Sequence, residues 1–321
     1  MIAVPALDPL LPRRGAPPAR AVIVGAGGFG KTSALDALAA AYGKAGVEVV
    51  RIAGRRLEQF EPYAALDALV PITLDATPGD MRAAVIERLG AGPWLVIVDD
   101  AHLLHEATLA VLGGVADRAG RAGGVIAAHR PTPMAALVAF DDVLTAARPV
   151  VALRRWPAES VAAFALTLGY DAPAEIIDAV LAFTAGVPAL VAALLGGAAE
   201  ENVLDRVGEN DVTPQRLRDA VQRELNVAGD AAAAIALAVA CAVPAHVIGA
   251  ATGVAEGDPS AALAALEHAG LLADDRASFV PAVAAAVLVA ASPVDVAALR
   301  ARAAAALHDA GAPPLEVAPH L

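Results

Sequence analysis

"ARAVIVGAGGFGKTSALDALAAAYGKAG", residues 19–46, decides the fold. The run "AVIV" leads into a glycine-rich loop, and "KTSALDALAAAYGKAG" then spaces apolar residues at the helical period, so the stretch reads strand, loop, helix. Between strand and helix, Gly25 to Thr32 match G-x-x-x-x-G-K-[ST]. Glycines in such a loop let successive backbone N–H groups curl around a phosphate, and the helix that follows points its positive end at the anion. Gly25, Gly27, Gly28, Phe29 and Gly30 are the expected cradle, and Ser33 extends it into the helix. Lys31 would neutralise β- and γ-phosphates, and Thr32 would offer a hydroxyl to Mg²⁺. A glycine-rich turn with no ligand is the alternative reading of these eight residues alone.

The pattern continues outward from this loop. "VEVVRIAG" (47–54) reads as a second strand, and "EPYAALDALV" (61–70) and "GDMRAAVIERLG" (79–90) as helices joined by a proline-containing segment. "PWLVIVDDAH" (93–102) is a continuous apolar run ending in two aspartates, as suits a strand buried on both faces of a parallel sheet. "HEATLAVLGGVADRAG" (105–120) reads as the next helix, "GGVIAAHR" (123–130) as a fourth strand and "ARPVVALR" (147–154) as a fifth. Strand and helix thus alternate through residues 20–153, which specifies an α/β domain with a mostly parallel sheet.

Asp99 and Asp100 end the third strand, at the edge where open α/β sheets hold their ligands. Asp99 is expected to hold Mg²⁺ through a water and Asp100 to orient the attacking water. The same pair could be a helix N-cap and its neighbour, because "DDAHLLHEATLA" also starts a helix. Arg130, ending the fourth strand, would place a cation near the γ-phosphate and report its presence; a surface arginine before a proline turn is the other reading. His102 and His105 lack metal-ligand spacing, and His102 is expected to pack or hydrogen-bond at the strand end.

After residue 153 the pattern becomes helical. "PAESVAAFALTLG" (157–169), "PAEIIDAVLAFTAG" (173–186) and "VPALVAALLGGAAEEN" (187–202) are three helix candidates forming a small domain. A polar stretch, 205–216, precedes further short helices that end in "AALAALEHAGLLADDRASFVPAV" (261–283), a helix followed by a hairpin, as in a winged helix. The expected division is an N-terminal segment 1–19, a nucleotide-binding domain 20–153, a helical lid 154–208, a winged helix 209–291 and the start of a helical linker or repeat at 292–321.

Composition narrows the classes. Roughly a quarter of the 321 residues are alanine, which favours helix. A net charge of −12 and a pI near 5.0 argue against this chain gripping a nucleic-acid backbone. The single cysteine, Cys241, fits a reducing cytoplasm and an inert buried thiol. Prolines interrupt the N-terminal apolar residues, so no secretion signal is expected. "AAAAIALAVACAVPAHVIGAA" (231–251) has the length of a membrane span, but Pro244, His246 and the absence of flanking anchors favour a soluble helical pair.

The set "GAGGFGKT", "RRLEQFEPYAAL", "WLVIVDDAHLL", "VIAAHRP", "VVALRRWPAESVAAFA" and "FTAGVPALVAALL" resembles the ATPase core of the LuxR-type large ATP-binding transcriptional regulators. These belong to the signal-transducing ATPases with numerous domains (STAND), related to the AAA+ proteins. The resemblance implies strand order 5-1-4-3-2, a helical lid and a winged helix. It supports Lys31 and Thr32 on phosphate and Mg²⁺, Asp99 and Asp100 on Mg²⁺ and water, and Arg130 as sensor. "AGVPAL" is similar to the family's Gly-x-Pro motif, which implies that Pro188 packs against the nucleotide base; a proline in the first helical turn is its purely structural explanation. Two departures stand out: the N-terminus only loosely resembles the adenine-enclosing segment, and "SFVPAV" has Val280 where the family tends to carry a histidine reaching the β-phosphate. A weaker hold on ADP is expected from that valine.

The implied function is a slow ATP-hydrolysing switch, cycling between ATP and ADP with Mg²⁺ and self-associating on ATP binding. DNA contact would come only through a helix-turn-helix domain beyond residue 321, and no membrane partner is expected. A P-loop phosphotransferase and a nucleotide-binding scaffold that barely hydrolyses are the other readings of the same loop.

Overall fold

The structure is a computed structural model, described here for residues 5–73, 75–120, 122–146, 150–207, 212–254, 259–272 and 279–321. The described residues divide into two compact units: one comprises 5–25 and Gly30–Leu153, the other Ala26–Phe29 and Arg154–Leu321.

The first unit is an α/β sheet. Strands β1 (Ala21–Val24), β2 (Glu48–Ala53), β3 (Trp94–Asp99), β4 (Gly123–His129) and β5 (Val151–Ala152) pair in parallel in the order β2-β3-β4-β1-β5, which from the β5 edge reads 5-1-4-3-2. Successive strand residues face opposite sides of a sheet, and each side has its own core. Val96, Val98, Val125 and Ala127 pack with residues of α2 (Pro78–Leu89), α3 (Glu106–Arg118) and α4 (Ala135–Thr145). Leu95, Ile97, Ile126 and Ala128 pack instead with Leu35 and Leu38 of α1 (Lys31–Lys44). Burying each such leucine or isoleucine side chain contributes about 1.5–3 kcal/mol.

The N-terminal segment belongs to this second core. Leu7 and Leu10 are buried there, and Tyr42 Oη donates to Leu10 O at 2.9 Å while accepting from Ala19 N–H at 3.0 Å.

Two sequence expectations fail within this unit. The helix expected at 61–70 is replaced by 3-10 turns at Glu58–Phe60 and Ala64–Leu66. Tyr63 takes a left-handed conformation, φ 64°, and its N–H donates to Thr108 Oγ1 at 3.1 Å on α3, a tertiary contact that overrides helical propensity. In turn, α4 lies where no helix was expected. Of the fifth strand expected at 147–154, Val151 and Ala152 pair with β1, while 147–149 lie outside the described residues.

The second unit is helical: α5 (Ala158–Thr167), α6 (Ala174–Thr184), α7 (Pro188–Glu200), α8 (Gln215–Ala228), α9 (Asp230–Ala240), α10 (Ile248–Thr252), α11 (Pro259–His268), α12 (Pro281–Ala290), α13 (Pro293–Asp309) and α14 (Pro314–Val317). A single hydrophobic cluster runs from Val161 on α5 to Leu307 on α13, so the stretches expected as lid and winged helix share one core. α8 shows why: Leu217, Val221 and Leu225, four residues apart, form its buried stripe, while charged and amide side chains occupy most of the remaining positions. Leu272 and Phe279 form an antiparallel bridge; the turn of the expected hairpin, 273–278, lies outside the described residues.

Residues 26–29 pack within this helical unit. Gly27 N–H donates to His268 O at 3.0 Å and Ala189 N–H to Gly28 O at 2.9 Å. Gly27 and Gly270 approach so closely that a Cβ on either would lie 2.3 Å from a backbone oxygen of the other strand of chain, Ala269 O or Gly27 O. The alanine-rich stretch 231–251 breaks after α9 at Ala242, φ 56°, and Pro244. Among the described residues no single helix is long and apolar enough to cross a membrane. Cys241 is a buried free thiol.

Candidate phosphate-binding site

In the α/β unit, β1 ends at Val24 and pairs in register with His129 of β4, so Gly25 and Arg130, the next residue of each strand, leave the sheet side by side. The pairing extends one step further, since Gly25 N–H donates to His129 O at 3.3 Å. Gly30, φ 85°, turns the chain into α1, whose hydrogen-bond ladder opens with Ala34 N–H on Gly30 O at 2.9 Å. The first N–H groups of α1 have no intrahelical partner, so the start of the helix is an anion-binding end at the carboxyl edge of the sheet. Lys31 is 7% exposed, and its Nζ donates to Gly25 O at 2.9 Å, folding the ammonium back over the loop.

Thr32 Oγ1 donates to Asp99 Oδ2 at 2.7 Å, and Asp100 N–H donates to Asp99 Oδ1 at 2.9 Å. Both carboxylate oxygens of Asp99 are thereby engaged. Asp100 adopts φ 47°, an uncommon left-handed conformation for a non-glycine residue that recurs at functional sites. A 3-10 turn, Ala101–Leu103, follows, and α3 begins only at Glu106, with His105 Nδ1 accepting Ala107 N–H at 3.1 Å as its cap. The aspartates are therefore not the cap of α3; Asp100 instead precedes the 3-10 turn and makes no side-chain capping bond to it. His102 Nδ1 lies 3.9 Å from Asp100 Oδ1, beyond hydrogen-bond reach.

Sequence reasoning missed two supports of this edge. Gly54 follows β2; its N–H donates to Asp99 O at 2.9 Å, and a Cβ there would sit 2.4 Å from Asp100 O. The residue at that position must be glycine for the acid pair to keep its backbone path. The other support is His129, which is 4% exposed, with Nε2 3.0 Å from Asp141 Oδ2 on α4 and Nδ1 2.8 Å from Arg130 O. Burial works to lower the His129 pKa, but the Asp141 carboxylate and the Arg130 carbonyl outweigh it, and the net shift is upward despite the Lys31 charge. A histidine closing an apolar strand was the available signal; its acidic partner lies on the helix that the sequence did not reveal.

Gly25, Gly30, Lys31, Thr32, Ser33, Asp99, Asp100 and Arg130 thus all belong to the carboxyl edge of one sheet. Gly27, Gly28 and Phe29 are held in the helical unit, where Phe29 packs against its core. Pro188 is the first residue of α7 and is buried, while Val187, Ala189 and Leu190 line a small cleft beside Gly27 and Gly28. Val280, expected at a phosphate-facing position, caps α12 and is fully buried in the helical core.

No cluster of three or more His, Cys, Asp or Glu residues that could cage a metal occurs among the described residues. A hydroxyl and a carboxylate 2.7 Å apart beside an anion-binding helix end do fit Mg²⁺, which keeps most of its waters and is bound through one or two protein oxygens plus phosphate.

No protein-family model and no curated protein matches the sequence. Among solved structures, the chain is similar to a Walker-type ATPase of Pyrococcus abyssi, with a TM-score of 0.50 and 14% identity over 84% of this chain and 90% of that one. The Orc1 protein of Aeropyrum pernix, solved in complex with DNA, matches at a TM-score of 0.47 and 16% identity over 89% of this chain and 90% of that one. A STAND protein with a tetratricopeptide-repeat sensor from Pyrococcus horikoshii matches at 0.39 and 16% identity, over 96% of this chain and 48% of that one. The first likeness is one of fold: a parallel five-stranded α/β sheet accompanied by helices.

Proposed function

We propose that this chain is the ATP-binding, slowly hydrolysing switch module of a signal-transducing regulator of the LuxR-type, STAND-class group, its nucleotide state controlling domain arrangement and self-association. The observation that carries this reading is the Thr32–Asp99 hydrogen bond of 2.7 Å next to Lys31, which joins the loop to the acid-bearing strand in one phosphate-and-metal edge. Lys31 releases Gly25 O and pairs with the β- and γ-phosphates, and Thr32 and Asp99 hold Mg²⁺, Asp99 through a water. Mg²⁺, when bound, neutralises phosphate charge. Asp100 orients the attacking water, and Arg130, level with Gly25, distinguishes triphosphate from diphosphate.

Contacts made to the γ-phosphate alone supply the free-energy difference between the two states. Residues 20–153 form the nucleotide domain in this reading, 154–208 a lid with Pro188 near the base, 209–291 a winged helix and 292–321 the lead into a helical repeat. With a net charge of −12, the module itself offers little electrostatic attraction to a nucleic-acid backbone.

Mg²⁺-dependent ATPase rates of wild type, Lys31→Ala and Asp100→Asn, with size-exclusion profiles with and without ATP, test the proposal. Slow turnover abolished by both substitutions, with an ATP-dependent change in assembly, is expected. Rapid phosphate transfer to a metabolite would establish a phosphotransferase instead, and binding without turnover or change in assembly a scaffold.

A further inference from the structure

His129 is a buried polar group beside the phosphate edge to which none of the roles above has been given. Both of its ring nitrogens face acceptors: Nδ1 lies 2.8 Å from Arg130 O and Nε2 lies 3.0 Å from Asp141 Oδ2. Nε2 stands at ion-pair distance from the carboxylate but outside hydrogen-bond geometry, and a neutral ring would aim a nitrogen lone pair at one of these two oxygens, so the doubly protonated ring is the form that suits both. A buried imidazolium is costly unless paired, and Asp141 on α4 provides the pairing charge. Lys31 on α1 acts on the ring as an opposing charge, Arg130 adjoins it in the chain, Asp142 follows Asp141 on α4, and Asp99 and His102 lie at the end of the neighbouring strand β3 and in the turn after it.

The main chain of His129 is tied to the loop as well. Its carbonyl accepts Gly25 N–H at 3.3 Å, and Gly25 O is the acceptor of Lys31 Nζ at 2.9 Å. One residue thus fixes the peptide that opens the phosphate loop through its backbone and the peptide of Arg130 through its ring. We propose that His129, held as an imidazolium by Asp141, is a positioning residue that sets Arg130 against the entrance of the phosphate loop and so tunes discrimination of nucleoside triphosphate from diphosphate. This rests on the nucleotide reading above. His129 acts through Arg130 and Gly25 and does not itself touch phosphate.

The test measures dissociation constants for a non-hydrolysable ATP analogue and for ADP, across pH 6 to 9, in wild type, His129→Gln, Asp141→Asn and Lys31→Ala. Losing the buried His129–Asp141 ion pair supports an expected fall in the triphosphate-to-diphosphate preference of about tenfold in the His129 and Asp141 variants. In wild type the preference declines as the ring deprotonates on raising pH, and in His129→Gln it is flat with pH. Folded variants that keep the wild-type preference and its pH profile overturn the proposal. A ¹⁵N NMR titration of the wild-type histidines provides a second measurement should the variants fail to fold. Both ring nitrogens of His129 carrying protons at neutral pH is the expected result, and a neutral ring there overturns the clamp. A wild type that binds neither nucleotide, with Lys31→Ala indistinguishable from it, removes the nucleotide reading, while the NMR titration still decides the clamp.

Discussion

Thr32 and Asp99, sixty-seven residues apart, are joined by a hydrogen bond of 2.7 Å from the threonine hydroxyl to the aspartate carboxylate. The bond is solvent-exposed, so its direct contribution to folding is about 0.5–1.5 kcal/mol at most. Its value lies in pre-setting the two oxygens that Mg²⁺ would need.

Thr32→Val keeps the shape of the side chain and removes the hydroxyl. We expect thermal stability within a few degrees of wild type but loss of the Mg²⁺-dependent gain in ATP affinity, by about tenfold or more, since a hydrogen bond to a charged group is worth roughly 1.5–3 kcal/mol. Calorimetric titration of ATP with and without Mg²⁺ checks this. A variant that retains the full Mg²⁺ effect would remove Thr32 from the metal site.

Gly54→Ala addresses the backing of the acid pair. The added Cβ would meet Asp100 O at 2.4 Å, and backbone on that side has little room to yield. Overpacking of this kind costs about 1–3 kcal/mol, so denaturant titration is expected to show a stability loss in that range together with a fall in ATPase rate larger than the fall in ATP affinity. Unaltered stability would mean that the β2–β3 edge relaxes around the methyl group.

The α/β order was legible because β1, β3 and β4 are largely apolar runs, each ending where the proposed site begins: Gly25 after Val24, Asp99 at the end of β3, Arg130 after His129. Local pattern carries such information, since a strand buried on both faces needs apolar residues at every position. What was not legible depends on contacts distant in sequence. Tyr63 leaves the helix its neighbours would favour because its N–H reaches Thr108, forty-five residues on. His129 acquires its acidic partner only when α4 brings Asp141 to it, and Gly54 becomes the floor beneath Asp100 only once β2 pairs with β3.

The raised pKa of His129 has a definite sign for stability. A histidine that binds its proton more tightly folded than unfolded adds stability that is fully present below the unfolded value near 6.5, and that stability is lost as pH rises through the higher folded value. Urea denaturation of wild type across this window is therefore expected to show a decline in stability towards alkaline pH that is absent in His129→Gln. Wild-type stability that climbs over the same window, with the variant flat, would contradict the pairing with Asp141.

Val280→His separates a core role from a nucleotide-facing one. Val280 is fully buried, its N–H donates to Leu271 O at 3.2 Å, and it caps α12 within the aliphatic cluster of the helical unit. An imidazole introduced there loses its water without gaining a partner, at a cost of about 1–3 kcal/mol. We expect a lower melting temperature for the helical unit and no increase in ADP retention, because the introduced ring would be enclosed in that core. A variant as stable as wild type that holds ADP more tightly would mean that position 280 can reach the nucleotide after all, and that the valine itself loosens the hold on product.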